Sequence, residues 1–290
     1  TYVAASSSMF IPTTASFHFN FTDPVYHQDT DIDELIDFAG NLGGLDIVTN
    51  QPSISDTTWW VSESNAVSHN SALNFVEGNN TAIQIEGSDL YYHKGGTTRW
   101  VHSGTTAVWM KIVSGGYHDP QCLWEEGGGS HGRMMYVSSS HVFWTAHRSD
   151  SSNQGPWRTM VASASIAGKD NVWTHVVGTY NEGTGSIYID GVIAAHATGS
   201  TIFNSAGGNV FNYSGDCGVG AVHQDNVVHY TNTEGTTTTG TNSNPFSGTN
   251  RWGLVDTDGS GDNCYLAYTG SIDEVRVWHE YALDKHQVRR

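Results

Sequence analysis

Basic residues are scarce. Twelve Lys and Arg stand against 29 Asp and Glu in 290 residues, a formal net charge of −17. That balance repels a phosphate backbone, so nucleic acid is not expected as a partner. No run of about 18 apolar residues exists, so no membrane span is expected. Cysteine is confined to Cys122, Cys217 and Cys264. An odd count excludes a fully paired intramolecular framework and leaves the redox compartment open. Proline is rare, with 6 residues. No Gly-x-Ser-x-Gly nucleophile elbow occurs. The chain opens at Thr1 with neither a basic n-region nor an apolar h-region. A removed signal peptide and a trimmed initiator Met both fit that start.

What is present is aromatic and glycine-rich: 10 Trp, 13 Tyr, 10 Phe and 33 Gly. Those aromatics supply a sizeable core, and a single β-sandwich with large loops accommodates the length. Strand patterns fall at 46–49, 72–76, 81–86, 106–112, 134–138, 141–146, 173–181, 186–190, 192–196, 264–268 and 271–278. Gly, Asn, Asp and Ser punctuate them at sandwich spacing. Asp190-Gly191 supplies a tight hairpin signal. In 272–278, Ile272, Glu274, Arg276 and Trp278 read as one face, and Asp273, Val275 and Val277 as the other. Ile32, Leu35 and Ile36 at i, i+3 and i+4 suggest a short helix over 31–38. Segments 147–159 and 224–250 read as long loops, where function concentrates. Near the start, Phe17, Phe19 and Phe21 alternate with polar residues. Residues 1–26 are therefore an N-terminal arm or strand, either docking on a neighbour or packing on its own chain, and 27–290 form the sandwich domain.

Several segments, in order, carry a resemblance. They are Asp37–Asn41, Ser71–Phe75, Thr106–Lys111, Trp173–Tyr180 with Gly185–Gly191, Gly270–Trp278 and Tyr281–Lys285. Together they resemble the laminin-G-like jelly-roll branch of the concanavalin A-like lectin/glucanase superfamily, over roughly residues 30–290. The resemblance implies an all-β, two-sheet antiparallel jelly-roll sandwich. It does not imply one activity, because this fold carries lectins, adhesion modules, glycosidases and virion proteins. It implies that Cys217 and Cys264 lie near one another, so that one bridge or three thiols would fit. It also implies a structural calcium held by Asp37, Asn41 and Asp273; Asp273 bonding backbone groups at the sandwich edge is the alternative.

A second calcium candidate is read from the residues themselves. Asp256, Asp258 and Asp262 are spaced so that one turn brings three carboxylates together, with Gly259 and Gly261 permitting the bend. An ordinary Asp/Gly turn is the plainer reading. Fifteen histidines form no zinc spacing. Glycoside hydrolysis needs two facing carboxyl groups. The Glu-x-Asp strand motifs of hydrolases on this fold are absent, and Glu125-Glu126 would point to opposite faces. Trp109, Trp173 and Trp278 lie in strand patterns and read as core. Trp59, Trp60, Trp100, Trp124, Trp144, Trp157 and Trp252 lie near loops or strand ends. Trp157 and Arg158 beside His147, Arg148 and Asp150, with Trp252, form the expected ligand-facing group, since sugar rings stack on exposed aromatic faces.

The expected function is non-catalytic recognition on an extracellular or virion surface, of a glycan or a neighbouring protein, helped by calcium. A bacteriophage decoration, fibre or tail component and a homo-oligomer fit the same reading. The alternative is a polysaccharide-active enzyme, lyase or hydrolase.

Overall fold

The computed structural model describes residues 17–19, 34–35, 45–46, 60–62, 71–75, 83–85, 103–113, 121–128, 131–148, 158–181, 183–198, 217–220, 229–231, 237–239, 253–254, 264–265, 268–279 and 281–289. Its strands in chain order are β1 (Phe17–Phe19), β2 (Glu34–Leu35), β3 (Leu45–Asp46), β4 (Trp60–Ser62), β5 (Ser71–Phe75), β6 (Ile83–Ile85), β7 (Ser103–Ile112), β8 (Gln121–Gly128), β9 (His131–Ser138) and β10 (His141–Arg148). They continue with β11 (Arg158–Ser165), β12 (Thr174–Asn181), β13 (Thr184–Ile189), β14 (Val192–Thr198), β15 (Cys217–Val219), β16 (His229–Thr231), β17 (Thr237–Thr239), β18 (Gly253–Leu254), β19 (Cys264–Tyr265) and β20 (Gly270–His279). No helix occurs among the described residues.

Two antiparallel sheets make the sandwich. The larger runs β14-β13-β12-β7-β20-β5-β4, with β1 added on β20; the smaller runs β11-β10-β9-β8-β15-β6. Period-two alternation sends one face of each inward. Val108, Met110, Val176, Tyr180 and Ile187 come from the larger sheet, and Trp124, Met135, Val137, Trp144 and Met160 from the smaller. Trp144 is fully buried. Its indole N–H donates to the Thr179 carbonyl at 3.0 Å. Its ring lies where a Cβ on Gly178 would sit, so glycine at that position admits it.

The backbone pairs Phe17–Phe19 with Val275–Val277 of the same chain. Of the two roles open to the N-terminal segment, this is the one within the domain. Leu35 pairs with Leu45 in extended conformation, so 34–35 are strand where the pattern suggests a short helix over 31–38; the rest of that segment lies outside the described residues. Three apolar residues in one turn do not offset helix nucleation. Asp190 and Gly191 both have positive φ, 50° and 76°, as the tight hairpin requires. Cys122 and Cys217 are buried, on β8 and β15 of the smaller sheet.

The expected faces of β20 are corrected by a bulge. Asp273 pairs with Trp109 and Arg276 with Ala107, leaving Glu274 and Val275 opposite Val108 alone. Two residues facing one switch the alternation. Ile272, Val275 and Val277 therefore all enter the core, while Trp278 joins a second cluster on the outer face. There Ala107, Val177, Tyr188 and Trp278 are covered by Leu283 and Val288 of the C-terminal segment. That segment is pinned by the Leu283 N–H to Thr105 Oγ1 at 2.9 Å, and by Arg289 Nε to the Gly191 carbonyl at 3.1 Å.

Candidate ligand-binding site

A cavity of about 520 Å³ opens on the outer face of the larger sheet, between β7, β12, β20 and the C-terminal segment. Trp109, His175, Asp190, Glu274, Arg276 and Trp278 are among its lining. Each arrives there for a local reason. Trp109 and His175 are register partners on β7 and β12, and their rings stack at 4.8 Å with planes 24° apart. The β20 bulge delivers Glu274 and Arg276 to this face. Glu274 sits at φ 51°, a left-handed conformation that is strained for a residue bearing a Cβ.

Charges in the cavity are organised as pairs. Glu274 is buried, and its Oε2 accepts from Arg276 Nε at 3.0 Å and Nη2 at 2.6 Å. The Arg276 side chain is 45% exposed, so the guanidinium is held from below and remains partly open to solvent. Asp190 accepts from Lys169 Nζ at 2.7 Å and from the His175 backbone N–H at 3.0 Å. Burial, with the Arg276 guanidinium adding to it, lowers His175 to about 4. The imidazole is thus neutral at physiological pH. The indole N–H of Trp278 has no hydrogen-bond partner among the described residues. An aromatic wall beside paired charged groups suits a ligand with both C–H faces and hydroxyls.

A second polar cluster lies inside the sandwich. Glu126 on β8 bonds Arg133 Nε on β9 and the His279 ring at 3.0 Å on β20. All three side chains are buried, and the Arg133 guanidinium stands 5.8 Å from the Trp144 ring. A Cβ on Gly104 would collide with the guanidinium, so glycine there makes the room. Burial alone would raise Glu126; Arg133 and His279 outweigh it and bring the carboxyl down to about 2. The cluster therefore ties the two sheets by a permanent carboxylate.

The expected site residues fall in several places. Register puts Arg148 opposite Arg158 and His147 opposite Thr159. Trp157, Asp150 and Trp252 lie outside the described residues, as do Asp37, Asp256, Asp258 and Asp262. Asp273 is fully buried, and its Oδ1 accepts the Glu274 N–H at 2.8 Å. Among the described residues no three His, Cys, Asp or Glu groups converge for a metal. Trp124 and Trp144, read as near loops, are instead fully buried core. Trp109, read as core, lines the cavity. Glu125 and Glu126 are both buried, with Glu126 on the inward face. The reading missed Glu274, Arg276 and His175. The one available signal was an acid and a base two apart inside a strand.

No curated protein matches the chain. Solved structures match its fold. Domain 4 of the GH43 extracellular arabinanase of Geobacillus stearothermophilus, in complex with arabinotriose, aligns with TM-score 0.50 at 17% identity, over 95% of this chain and 97% of that one. The receptor-binding domain of botulinum neurotoxin type G aligns with TM-score 0.51 at 11% identity, over 96% of this chain and 50% of that one. The corresponding domain of botulinum neurotoxin D gives 0.52 at 9%, over 95% and 51%. The chain thus spans about half the length of the toxin domains. Among the described residues no helix is long and apolar enough to cross a membrane. A laminin-G family model, described as the concanavalin A-like lectin/glucanases superfamily, matches residues 77–224, and the chain, with its two-sheet antiparallel sandwich, belongs to that superfamily.

Proposed function

We propose that this chain is a non-catalytic recognition module that binds a glycan at the outer-face cavity, in an extracellular or virion-surface setting. The observation that carries the reading is the cavity itself. A stacked Trp109–His175 pair and an ion-paired Glu274–Arg276 share one concave face, with Glu274 held in a strained backbone conformation. Strain of that kind persists where surrounding structure enforces it and is concentrated at binding sites. A saccharide uses both halves of such a site, its C–H face on the indole and its hydroxyls on the paired charges. The arabinotriose held by the arabinanase domain supports a saccharide as the ligand class. A particle-borne role, as a bacteriophage decoration, fibre or tail component, is the form of this proposal in which the cavity is displayed on a virion. Calcium, proposed for Asp256, Asp258 and Asp262, would order the loops around the sandwich.

The enzymatic alternative needs a carboxyl group poised to give up a proton near neutral pH. Glu126 is held ionised far below that range, and Glu274 is committed to Arg276. The test is calorimetric titration with arabinan-type and other neutral oligosaccharides, alongside assays of reducing ends and of unsaturated, ultraviolet-absorbing products. Saturable binding with no product supports the module. Product release proportional to protein overturns the non-catalytic reading.

A further inference from the structure

Three of the chain's 12 Lys and Arg meet at the outer-face cavity, in a protein of net charge −17. Arg276 and Arg289 line it, and Lys169 bonds its Asp190. The two lining carboxylates are already engaged. Glu274 accepts from Arg276 Nε and Nη2. Asp190 accepts from Lys169 and from the His175 backbone N–H. Arg289 differs, because its Nε donates to a neutral group, the Gly191 carbonyl at 3.1 Å. Gly191 also seats its stem: a Cβ there would stand 3.2 Å from Arg289 Cγ. The residue is exposed yet held at Nε, so its guanidinium is oriented before any ligand arrives. With His175 neutral, these groups together leave the Arg289 charge uncompensated.

Strand order sets where that charge stands. Arg276 lies on β20 and Arg289 against the β13–β14 turn, with Trp109 of β7 and His175 of β12 between them. Three strand spacings separate the two sides, about 14 Å between backbones. That span is longer than a single sugar ring. A guanidinium presents its donors as a planar fork that matches a carboxylate. A small anion alone would leave the stacked Trp109–His175 floor uncovered, whereas an acidic saccharide covers both. We infer that the cavity prefers an acidic saccharide to its neutral counterpart, the uronic carboxylate docking on Arg289 while a neighbouring ring lies on Trp109 and its hydroxyls reach the Glu274–Arg276 pair. This preference deepens the glycan-binding reading of the cavity and rests on it.

The test is binding to matched pairs: oligosaccharides of galacturonate, glucuronate and mannuronate, each beside its own methyl ester, at low and high sodium chloride. Esterification removes the charge and keeps the ring. The proteins compared are wild type, Arg289→Gln, Arg289→Lys and Trp109→Ala, each checked by thermal melting. Arg289→Gln removes the charge and keeps an amide donor for the Gly191 carbonyl, so the C-terminal segment stays pinned. Arg289→Lys keeps the charge without the fork and guards against loss of the fold. Wild type should favour the free acid of at least one pair over its ester by about tenfold, and the gap should narrow as salt rises. Arg289→Gln should erase the preference, Arg289→Lys should be intermediate, and Trp109→Ala should weaken acid and ester alike. The inference is refuted if wild type binds ester as well as acid in every pair, or if either Arg289 variant keeps the preference undiminished. Acid binding untouched by Trp109→Ala would place the carboxylate outside the cavity and refute it too. Ester binding that depends on Trp109, with no preference for the acid, would leave the cavity reading standing. If wild type binds no member of any pair, the preference and the cavity reading fall together.

Discussion

Replacing Glu126 by Gln removes the charge that neutralises Arg133 while keeping the side chain's shape. The wild-type carboxylate is buried against Arg133 and His279. The variant leaves the buried Arg133 guanidinium facing a neutral amide where the carboxylate stood. Removing one partner of a buried pair costs about 3–5 kcal/mol. For a 290-residue chain that is a fall in Tm of roughly 5–8 °C. The pH dependence is the sharper signature. The folded carboxyl titrates at about 2 against an ordinary 4.5. Its contribution is therefore whole above pH 4.5 and is lost as pH falls toward 2. The size is about 3 kcal/mol. Wild type and Glu126→Gln should differ most at neutral pH and converge in acid. The assay is urea unfolding followed by tryptophan fluorescence, from neutral pH down to the acid limit. Because replacing both members with apolar groups avoids the orphaned charge, Glu126→Gln/Arg133→Met should recover much of the loss. A single variant within about 1 kcal/mol of wild type at neutral pH, or a gap that ignores pH, would refute this account of the interior cluster.

Other outcomes follow from the same geometry. Gly178→Ala drives a methyl into the Trp144 ring, 2.5 Å from Cδ2, and should destabilise by about 1–3 kcal/mol in denaturant melts. His175 titrates at about 4 in the fold against 6.5 ordinarily. The unfolded chain then binds the proton first, so stability should decline as pH falls from 6.5 to 4, and His175→Gln should flatten that slope in the same melts. Arg276→Ala removes the guanidinium that Glu274 holds in the cavity and should weaken neutral-glycan binding by about 2 kcal/mol, roughly thirtyfold, by calorimetry. Calcium bound by Asp256, Asp258 and Asp262 would raise Tm over that in EDTA, and alanine at Asp258 should abolish the difference.

The fold was readable because alternation and turn chemistry are local. Strand patterns at 106–112, 134–138, 141–146 and 173–181 mark real strands, and Asp190-Gly191 marks a real hairpin. Reading failed where a bulge resets the period. Between Cys122 and Trp124 such a shift blurs β8, whose Glu125-Glu126 looks polar although both are buried. In β20 the bulge residue is Glu274 rather than a glycine, so nothing local announces it. Position along the chain separates core from surface tryptophans poorly. Trp144 is core because Gly178, distant in sequence, makes space for it. Trp109 reaches the surface because its face of β7 meets His175 and the cavity rather than the other sheet. The cavity itself depends on β7, β12, β20 and the C-terminal segment converging, which no single segment encodes.

The central claim is saccharide recognition at the outer-face cavity. The most direct measurement is a glycan array probed in parallel with wild-type protein and Trp109→Ala, each in calcium and in EDTA. Wild type should bind a discrete class of glycans, and Trp109→Ala should lose it while melting as a folded protein. An array on which wild type binds no glycan, or on which the two proteins give the same profile, would contradict it.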